Sequence, residues 1–187
     1  MGEDTFKPLG KLRNGWTTGA CATAAAKACA VALIHGKFEK NVTIQLPHGE
    51  KPTFLLSRHV LNGDNACAGI IKDAGDDPDV THGAEIVVTV KPGRQGEGIT
   101  FQAGDGVGTV SLPGLTVPVG EPAINPAPRK MICEAIQAVV GAQDKAVDLE
   151  VTISIPGGKV LAEKTMNGRL GIVGGLSVLG TTGIVRP

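Results

Sequence analysis

The chain has 187 residues, a formal net charge of zero and 42% hydrophobic residues, which allows one domain with a proper apolar core. Its 18 basic residues are scattered among 18 acidic ones, and aromatic residues make up only 3%. The sequence therefore offers neither a basic face nor base-stacking rings, and it argues against a nucleic-acid partner.

The four cysteines form no Cys-x-x-Cys pair, and no histidine stands at metal-ligand spacing from them. With no signal-like N-terminus, this predicts reduced, mostly buried thiols in a cytoplasmic protein without a metal site. No apolar run reaches about 18 residues free of glycine and polar interruptions, so no membrane span is expected.

Local signals predict one helix and several strands in the first half of the chain. The helix has Thr17 or Thr18 as its N-cap, an alanine run of high helix propensity and a stop at Gly36. In chain order, we predict a polar lead-in (1–12), the helix (17–35), a hairpin of two strands (41–46 and 52–60) and an acidic loop around a short apolar segment (62–80). A cation site in that loop is the alternative, although the ordered ligand spacing of a calcium loop is missing.

The second half predicts strands in pairs and a second, amphipathic helix. The elements are strands at 85–90 and 98–103 joined by a glycine-rich turn, a proline-rich irregular stretch (112–128), a helix (127–140), a hairpin of strands (148–155 and 160–165), and short strands with glycine turns to the end. Hairpins and two main helices predict the α+β class, with a mixed or antiparallel sheet on which the helices pack.

Two Thr-Thr-Gly turns lie near opposite ends of the chain. The first, Thr17-Thr18-Gly19, opens the predicted helix, so free N–H groups and the positive end of the helix dipole face outward beside Arg13. This predicts an anion site, with an ordinary helix cap as the alternative. The second turn, at residues 181–183, ends an apolar, glycine-rich segment.

A glycine-rich loop, Gly104-Asp105-Gly106-Val107-Gly108, looks superficially like a loop that binds a dinucleotide or S-adenosylmethionine. A Rossmann loop needs a helix directly after it, whereas strand or coil follows here. Two interpretations stay open. The loop is either a tight turn with positive φ angles or a close backbone approach to a ligand, with Asp105 touching a hydroxyl or amine.

The start of the second helix carries a further candidate site. Asn125 is a natural N-cap, and Arg129 lies in the first turn, where a cation opposes the helix dipole. This suggests a negative group nearby, and an ion pair with Glu121 or Glu134 is the alternative. No Ser-His-Asp, Cys-His or Walker-type arrangement is found, so no catalytic residue is identified.

The order of these motifs is more informative than any one of them. They are RNGWTTGACA (13–22), GDGVG (104–108), INPAPR (124–129) and NGRLGIVGGLSVLGTTGIV (167–185). In this succession the chain closely resembles the cobalt-precorrin-5B C-1 methyltransferases of the anaerobic cobalamin pathway. Members of that family continue past the last motif into a second α/β domain. The resemblance therefore implies that residues 13–187 form the N-terminal α+β domain of a two-domain enzyme.

The resemblance implies methyl transfer from S-adenosylmethionine to C-1 of a cobalt-containing tetrapyrrole, with cobalt present only as part of the substrate. The rim of acetates and propionates on that substrate suits helix N-termini and arginines. The residues implied in substrate or cofactor binding are Arg13, Thr17, Thr18, Gly19, Gly104, Asp105, Gly106, Gly108, Asn125, Arg129, Asn167, Arg169, Gly174, Gly175, Thr181 and Thr182.

Two other functions remain open at this point: a non-catalytic tetrapyrrole-binding domain, and an enzyme of phosphorylated small molecules. We expect the four motifs to converge on one face. We also expect the apolar segment 170–185 to leave a patch for a further domain or for a second copy in a homo-oligomer.

Overall fold

The computed structural model describes residues 10–141 and 147–187; of the predicted lead-in, residues 1–9 lie outside this part. The predicted α+β class is confirmed. The elements in chain order are β1 (Gly15–Trp16), α1 (Thr18–His35), β2 (Asn41–Thr43), β3 (Thr53–Leu55), β4 (Arg58–Asn62), β5 (Asn65–Ile71), β6 (Glu85–Pro92), β7 (Ile99–Ala103), β8 (Thr109–Val110), α2 (Pro126–Val140), β9 (Leu149–Ser154), α3 (Gly158–Ala162), β10 (Ile172–Val173) and β11 (Ile184–Val185).

The centre of the fold is a five-stranded sheet in the order β4-β5-β6-β9-β7. All neighbours are antiparallel except β7 and β9, which run parallel. Helix α1 packs on β5 and β6 and against α2, so the core lies between this helical layer and the sheet. The remaining strands form three two-stranded ribbons, of which β1–β11 joins the start of α1 to the last strand.

Helix α1 forms where the local signals predict it. Thr17 has an extended backbone, and its hydroxyl oxygen accepts from the N–H of Ala20 at 3.1 Å. At the other end Gly36 takes the left-handed conformation (φ 76°) and donates to the Ala32 carbonyl. The helix is long and apolar enough to cross a membrane by length and composition, with a mean hydropathy of 1.3. Most of that stretch is buried inside the protein, as in the core helix of a soluble fold.

Two predictions for the first half of the sheet are wrong. Residues 52–60 are not one strand: β3 pairs with β2, whereas β4 belongs to the large sheet. The apolar segment inside the predicted loop is β5, which pairs with both β4 and β6. Ala, Gly and Cys have low strand propensity, but small side chains at Ala66 and Ala68 let α1 pack closely on this strand.

Two predictions for the second half are also wrong. Strands β6 and β7 do not form a hairpin, because β9 lies between them and pairs with both. Residues 160–165 do not return as a strand: the chain turns at Gly157 (φ 77°) and enters the short helix α3. Since both edges of β9 are already paired, a strand after it has no free edge to join.

The cysteines follow the prediction of free and mostly buried thiols. Cys21 and Cys29 are fully buried in α1, and Cys67 and Cys133 are half-buried. Burial raises the pKa of Cys21 to about 12 and raises that of Cys29 as well, so neither is a reactive thiolate. In residues 10–141 and 147–187, no group of three His, Cys, Asp or Glu side chains is arranged to hold a metal ion.

Candidate functional site

One stretch of backbone, residues 174–183, runs past three of the predicted motifs; we call it the connecting segment. Next to the glycine-rich loop, the N–H of Leu176 donates to the Gly106 carbonyl, and its own carbonyl accepts from Gly108, both at 2.8 Å. Further along, the Val178 carbonyl accepts from the N–H of Asn125 at 3.0 Å. The motifs at 104–108 and 124–129 are thus brought together by this segment.

The connecting segment then reaches the start of α1. The carbonyl of Leu179 accepts from the N–H of Gly19 at 2.9 Å, and the carbonyl of Gly183 accepts from Thr17 at 3.0 Å. A Cβ on Gly180 (φ 132°) would overlap the side chain of Thr17, so only glycine allows this close approach. Both Thr-Thr-Gly turns therefore lie at the same end of α1.

The glycine-rich loop is held by the protein itself. Gly106 has φ 77°, and a Cβ there would overlap the Ile155 carbonyl; a Cβ on Gly175 would overlap Gly106. The N–H groups of Val107 and Gly108 donate to carbonyls of the chain. The observed geometry is the tight turn of the sequence analysis, while the side chain of Asp105 is exposed, so contact of Asp105 with a ligand stays a prediction.

The N-terminus of α1 keeps one free backbone donor. The N–H of Gly19 donates to Leu179, that of Ala20 to the Thr17 hydroxyl oxygen, and that of Cys21 to the Thr17 carbonyl. The N–H of Thr18 has no acceptor in residues 10–141 or 147–187. Among the N–H groups of residues 17–19, only that of Thr18 is left for an anion within the described residues, and the anion site itself stays a prediction.

A cavity of about 280 Å³ lies beside this helix start, and a buried lysine forms part of its wall. The ammonium of Lys72, 3% exposed, donates to Thr81 Oγ1 at 2.6 Å, Asp79 Oδ2 at 2.7 Å and Thr18 Oγ1 at 3.2 Å. Thr18 and Thr81 are also buried. The rest of the polar lining comes from Thr17, Thr165, Asn167 and Ser177. We call it the Lys72 cavity.

The charges in the Lys72 cavity are compensated. Burial by itself raises the pKa of Asp79, but hydrogen bonds from Lys72 and Thr81 outweigh it and hold that pKa below its ordinary value. Asp79 is thus an anion beside a buried cation. Sequence reasoning missed Lys72, although a lysine directly after the apolar run of β5, seven residues before an aspartate, was the available signal.

A wider groove of about 770 Å³ lies between α1, α2 and residues 44–47. Buried Ile44, Leu46 and Met131 contribute apolar lining, and Lys27 and Lys130 contribute two ammonium groups. The connecting segment takes part in both cavities. Its Leu179 and Gly180 line the Lys72 cavity and its Thr181 lines the groove, so consecutive residues connect the two sites.

Comparison with known proteins places the chain in a family: a family model described as CbiD matches residues 6–187. The chain belongs to the CbiD family. The resemblance stated from the motifs is thereby confirmed.

The CbiD chain is similar to proteins that are considerably longer than itself. It is 57% identical over 177 residues to "Cobalt-precorrin-5B C(1)-methyltransferase" of Brucella anthropi and 58% identical to the protein of that name in Brucella ovis; each match covers 95% of this chain and 48% of the relative. The crystal structure of "cobalamin biosynthesis protein (cbiD)" from Archaeoglobus fulgidus has 32% identity and a TM-score of 0.71 over 94% of this chain and 55% of that one. The chain spans about half the length of the curated relatives it matches.

Two of the three arginines singled out in this CbiD chain have partners within the protein. Arg13 binds Asp73 through two nitrogens, at 2.7 and 3.0 Å, and lowers the pKa of that carboxyl to about 2. Arg129 donates to the carbonyls of Ile124 (2.7 Å) and Pro122 (3.0 Å). Arg129 also pairs with Glu121 at 3.1 Å, which is one of the ion pairs given as the alternative.

The remaining predicted residues differ in their surroundings. Arg169 is exposed and has no ion pair with any residue of the described ranges. Asn125 occupies the N-cap position of α2, but its side chain forms no capping hydrogen bond. Thr182 bonds locally to Ile184, and Gly174 (φ 88°) is exposed. Binding roles for these CbiD residues stay predictions.

Proposed function

We propose that the chain forms part of an enzyme that methylates C-1 of cobalt-precorrin-5B. Support comes from the family match over residues 6–187 and from the activity named for relatives more than half identical to the chain. We further propose S-adenosylmethionine as the methyl donor and the cytoplasm as the location. Carbon C-1 of the macrocycle supplies the electron pair, the methyl–sulfur bond breaks, and S-adenosylhomocysteine leaves.

The observation that carries the proposal is the position of the connecting segment beside two cavities. A methyl transfer needs two reactants held in line, and the main task of the protein is their orientation. The groove and the Lys72 cavity are lined by successive residues, Gly180 and Thr181, so ligands in them would be close neighbours. The protein supplies no metal in this scheme, because cobalt arrives with the substrate.

The lining of the groove matches the chemistry of the macrocycle. Its apolar lining suits the faces of a tetrapyrrole ring, and Lys27 and Lys130 carry the charge that complements acetate and propionate groups. Lys27 already donates to the Thr43 carbonyl at 2.6 Å, which holds its ammonium in place. Lys130 lies 3.9 Å from Glu134 and is well exposed, so it remains accessible to a substrate carboxylate.

The test compares three lysine variants of one chemistry. Lys27→Gln and Lys130→Gln should each weaken binding of a cobalt corrinoid with free carboxylates about tenfold, measured by titration of its visible bands. Lys91→Gln, on β6 and away from the groove, is the matched control and should leave binding unchanged. Equal affinity in all four proteins would overturn this placement of the macrocycle.

Activity needs a separate measurement. Radioactive S-adenosylmethionine and cobalt-precorrin-5B are supplied to the chain alone and to a relative of full family length. Transfer of label to the corrinoid by the relative, lost in its equivalents of both lysine variants, supports the proposal. Binding of the corrinoid without heat of S-adenosylmethionine binding would favour the second candidate, a non-catalytic tetrapyrrole-binding domain, which the half-length match allows. The other alternative, an enzyme of phosphorylated small molecules, has less support. The backbone N–H groups of Val107 and Gly108 in the glycine-rich loop donate within the protein and are not available to a phosphate.

A further inference from the structure

Thr18 has two hydrogen-bond donors that the protein does not use. Its backbone N–H, at the first position of α1, has no acceptor in the described ranges. Its hydroxyl oxygen accepts from Lys72, and the hydroxyl proton has no acceptor in those ranges either. The residue is 5% exposed, yet it lines the Lys72 cavity. A buried donor without an acceptor is costly, so two of them on one residue that lines a cavity point to a ligand that accepts.

Lys72 controls the direction of the Thr18 hydroxyl. An ammonium has three N–H donors, and all three of Lys72 are used by Thr18, Asp79 and Thr81. Lys72 therefore has no donor left for a ligand. By donating to Thr18 Oγ1 it occupies a lone pair of that oxygen, which directs the hydroxyl proton away from Lys72 and leaves it for another acceptor. Donation from a cation also polarises the hydroxyl and strengthens it as a donor.

We propose that the Lys72 cavity is a carboxylate subsite. Thr18 donates its hydroxyl and its backbone N–H to one carboxylate, and Lys72 is the positioning residue that fixes the hydroxyl. The positive end of the α1 dipole adds to the attraction for an anion. Asp79 already neutralises the charge of Lys72. The carboxylate of the ligand is then the one uncompensated charge in the subsite, and it interacts with the N-terminal end of α1 and the two donors of Thr18.

The subsite rests on the proposed function for its two sources of carboxylate. One is the α-carboxylate of the methyl donor, and the other is an acetate or propionate of the macrocycle. A volume of about 280 Å³ holds an amino-acid group or one side chain of the substrate, but not the tetrapyrrole ring. The chemistry of the contact is the same in both cases, so the experiment separates them by ligand.

The direct test follows the amide of Thr18 by NMR in the 15N-labelled chain. Acetate and methionine are titrated first, followed by S-adenosylmethionine against decarboxylated S-adenosylmethionine. A cobalt corrinoid with free carboxylates is then compared with its methyl ester. We expect the NMR resonance of the Thr18 amide to shift when a ligand with a free carboxylate is added. It should not shift with the decarboxylated or esterified ligand. The pair that shows this difference identifies the source.

Three variants of α1 test the role of the hydroxyl. Thr18→Val removes the hydroxyl at nearly constant volume and should weaken binding of the ligand that carries the carboxylate about 10- to 100-fold. Thr18→Ser keeps the hydroxyl and should retain binding. Thr23→Val is the matched control, because Thr23 is equally buried in the same helix but donates to the Gly19 carbonyl. Lys72→Met/Asp79→Asn leaves no unpaired carboxylate in the cavity wall; it should reproduce the loss of affinity in Thr18→Val without adding to it when all three changes are combined.

The outcomes separate the subsite from the proposed function. A saturable shift with acetate or methionine, but no binding of S-adenosylmethionine or corrinoid, would leave the subsite standing and reject the proposed ligands. Binding of either ligand with equal affinity in wild type and Thr18→Val, and without a shift of the Thr18 amide, would overturn the subsite alone. The absence of any shift and of any binding would overturn both.

Discussion

The Lys72 ammonium lies 3.2 Å from the Thr18 hydroxyl oxygen, although 54 residues separate the two in the chain. The contact exists because the end of β5 and the start of α1 are fastened to each other. The N–H of Trp16, two residues before Thr18, donates at 2.7 Å to the carbonyl of Asp73, the residue after Lys72. A cavity wall made of two distant segments therefore depends on the docking of α1 on the sheet.

Removing the Lys72 ammonium should destabilise the fold strongly. Lys72→Met leaves the Asp79 carboxylate without its buried counter-ion, and breaking such a pair costs about 3 kcal/mol of unfolding free energy at the lower end of the usual range, since Asp79 keeps some contact with water. The measurement is urea unfolding at pH 7.

The control for Lys72→Met is the exposed ion pair between Lys91 and Glu150, 3.3 Å apart. Lys91→Met should cost less than about 1 kcal/mol, because solvent screens surface pairs. The double variant Lys72→Met/Asp79→Asn should recover part of the loss, since no unpaired charge remains. Equal losses for Lys72→Met and Lys91→Met would contradict the description of Lys72 as a buried, compensated cation.

Arg129 and Arg169 should separate into a structural and a binding residue. Arg129→Ala leaves the Ile124 carbonyl and Glu121 without the guanidinium donor and removes one of the two donors to the Pro122 carbonyl, so we expect a loss of about 2–3 kcal/mol in unfolding free energy. Arg169→Ala removes an exposed side chain and should change stability by less than about 0.5 kcal/mol. If Arg169 binds a substrate carboxylate, its variant loses corrinoid affinity at full stability. Normal stability of Arg129→Ala would return that residue to the list of candidate ligand contacts.

Local signals in the sequence were enough to predict α1, because a threonine cap, an alanine run and Gly36 act within a few residues of each other. The position of β9 between β6 and β7 could not be predicted, since strand order depends on contacts between distant segments. The same holds for the site. The Thr-Thr-Gly turns in the sequence indicated the start of α1 as a candidate site. The partners of Arg129 and the approach of Lys72 to Thr18 arise only from the packing of α1 and α2 on the rest of the fold.

The stability of the chain should fall in acid between about pH 4 and pH 2. The pKa of Asp73 is about 2 in the folded chain, against an ordinary value of 3.8, because of hydrogen bonds from Arg13 and from the N–H of Gly75. Between these values the unfolded chain binds more protons, so stability rises with pH there. The contribution is present above about pH 4 and is lost as the pH approaches 2.

The measurement for this acid dependence is the urea midpoint at several pH values for wild type and Asp73→Asn. The difference between the two proteins should shrink as the pH falls from 4 to 2. It should stay small throughout, because both side chains of the Arg13–Asp73 pair are about half exposed. A difference that grows towards pH 2 would have the wrong sign for a lowered pKa.

Two adjacent glycines should respond differently to alanine. A Cβ on Gly175 would overlap the Gly106 backbone, so Gly175→Ala should cost at least about 2 kcal/mol and loosen the connecting segment from the glycine-rich loop. Gly174 (φ 88°) faces open space, so Gly174→Ala carries only the cost of a left-handed backbone, about 1 kcal/mol. Thermal unfolding and the amide exchange rate of Leu176 measure the two effects. The reverse order of cost would show that the segment does not pass as close to Gly106 as described.

The chain should self-associate through an apolar patch formed by Leu112, Met166, Leu170 and Val173, each about half exposed. Backbone hydrogen bonds hold the segments that carry these residues next to each other, since Ser111 donates to the Gly171 carbonyl and Leu170 donates to the Met166 carbonyl. Exposed apolar surface of this kind marks an interface with another protein or domain.

Sedimentation velocity at rising concentration should show reversible association of the wild type and less of it for Leu170→Ser/Val173→Ser. Val60→Ser, which removes an equally exposed valine on β4, is the control and should associate like the wild type. Monomeric wild type at all concentrations, or equal association in the patch variant, would reject this surface as the contact.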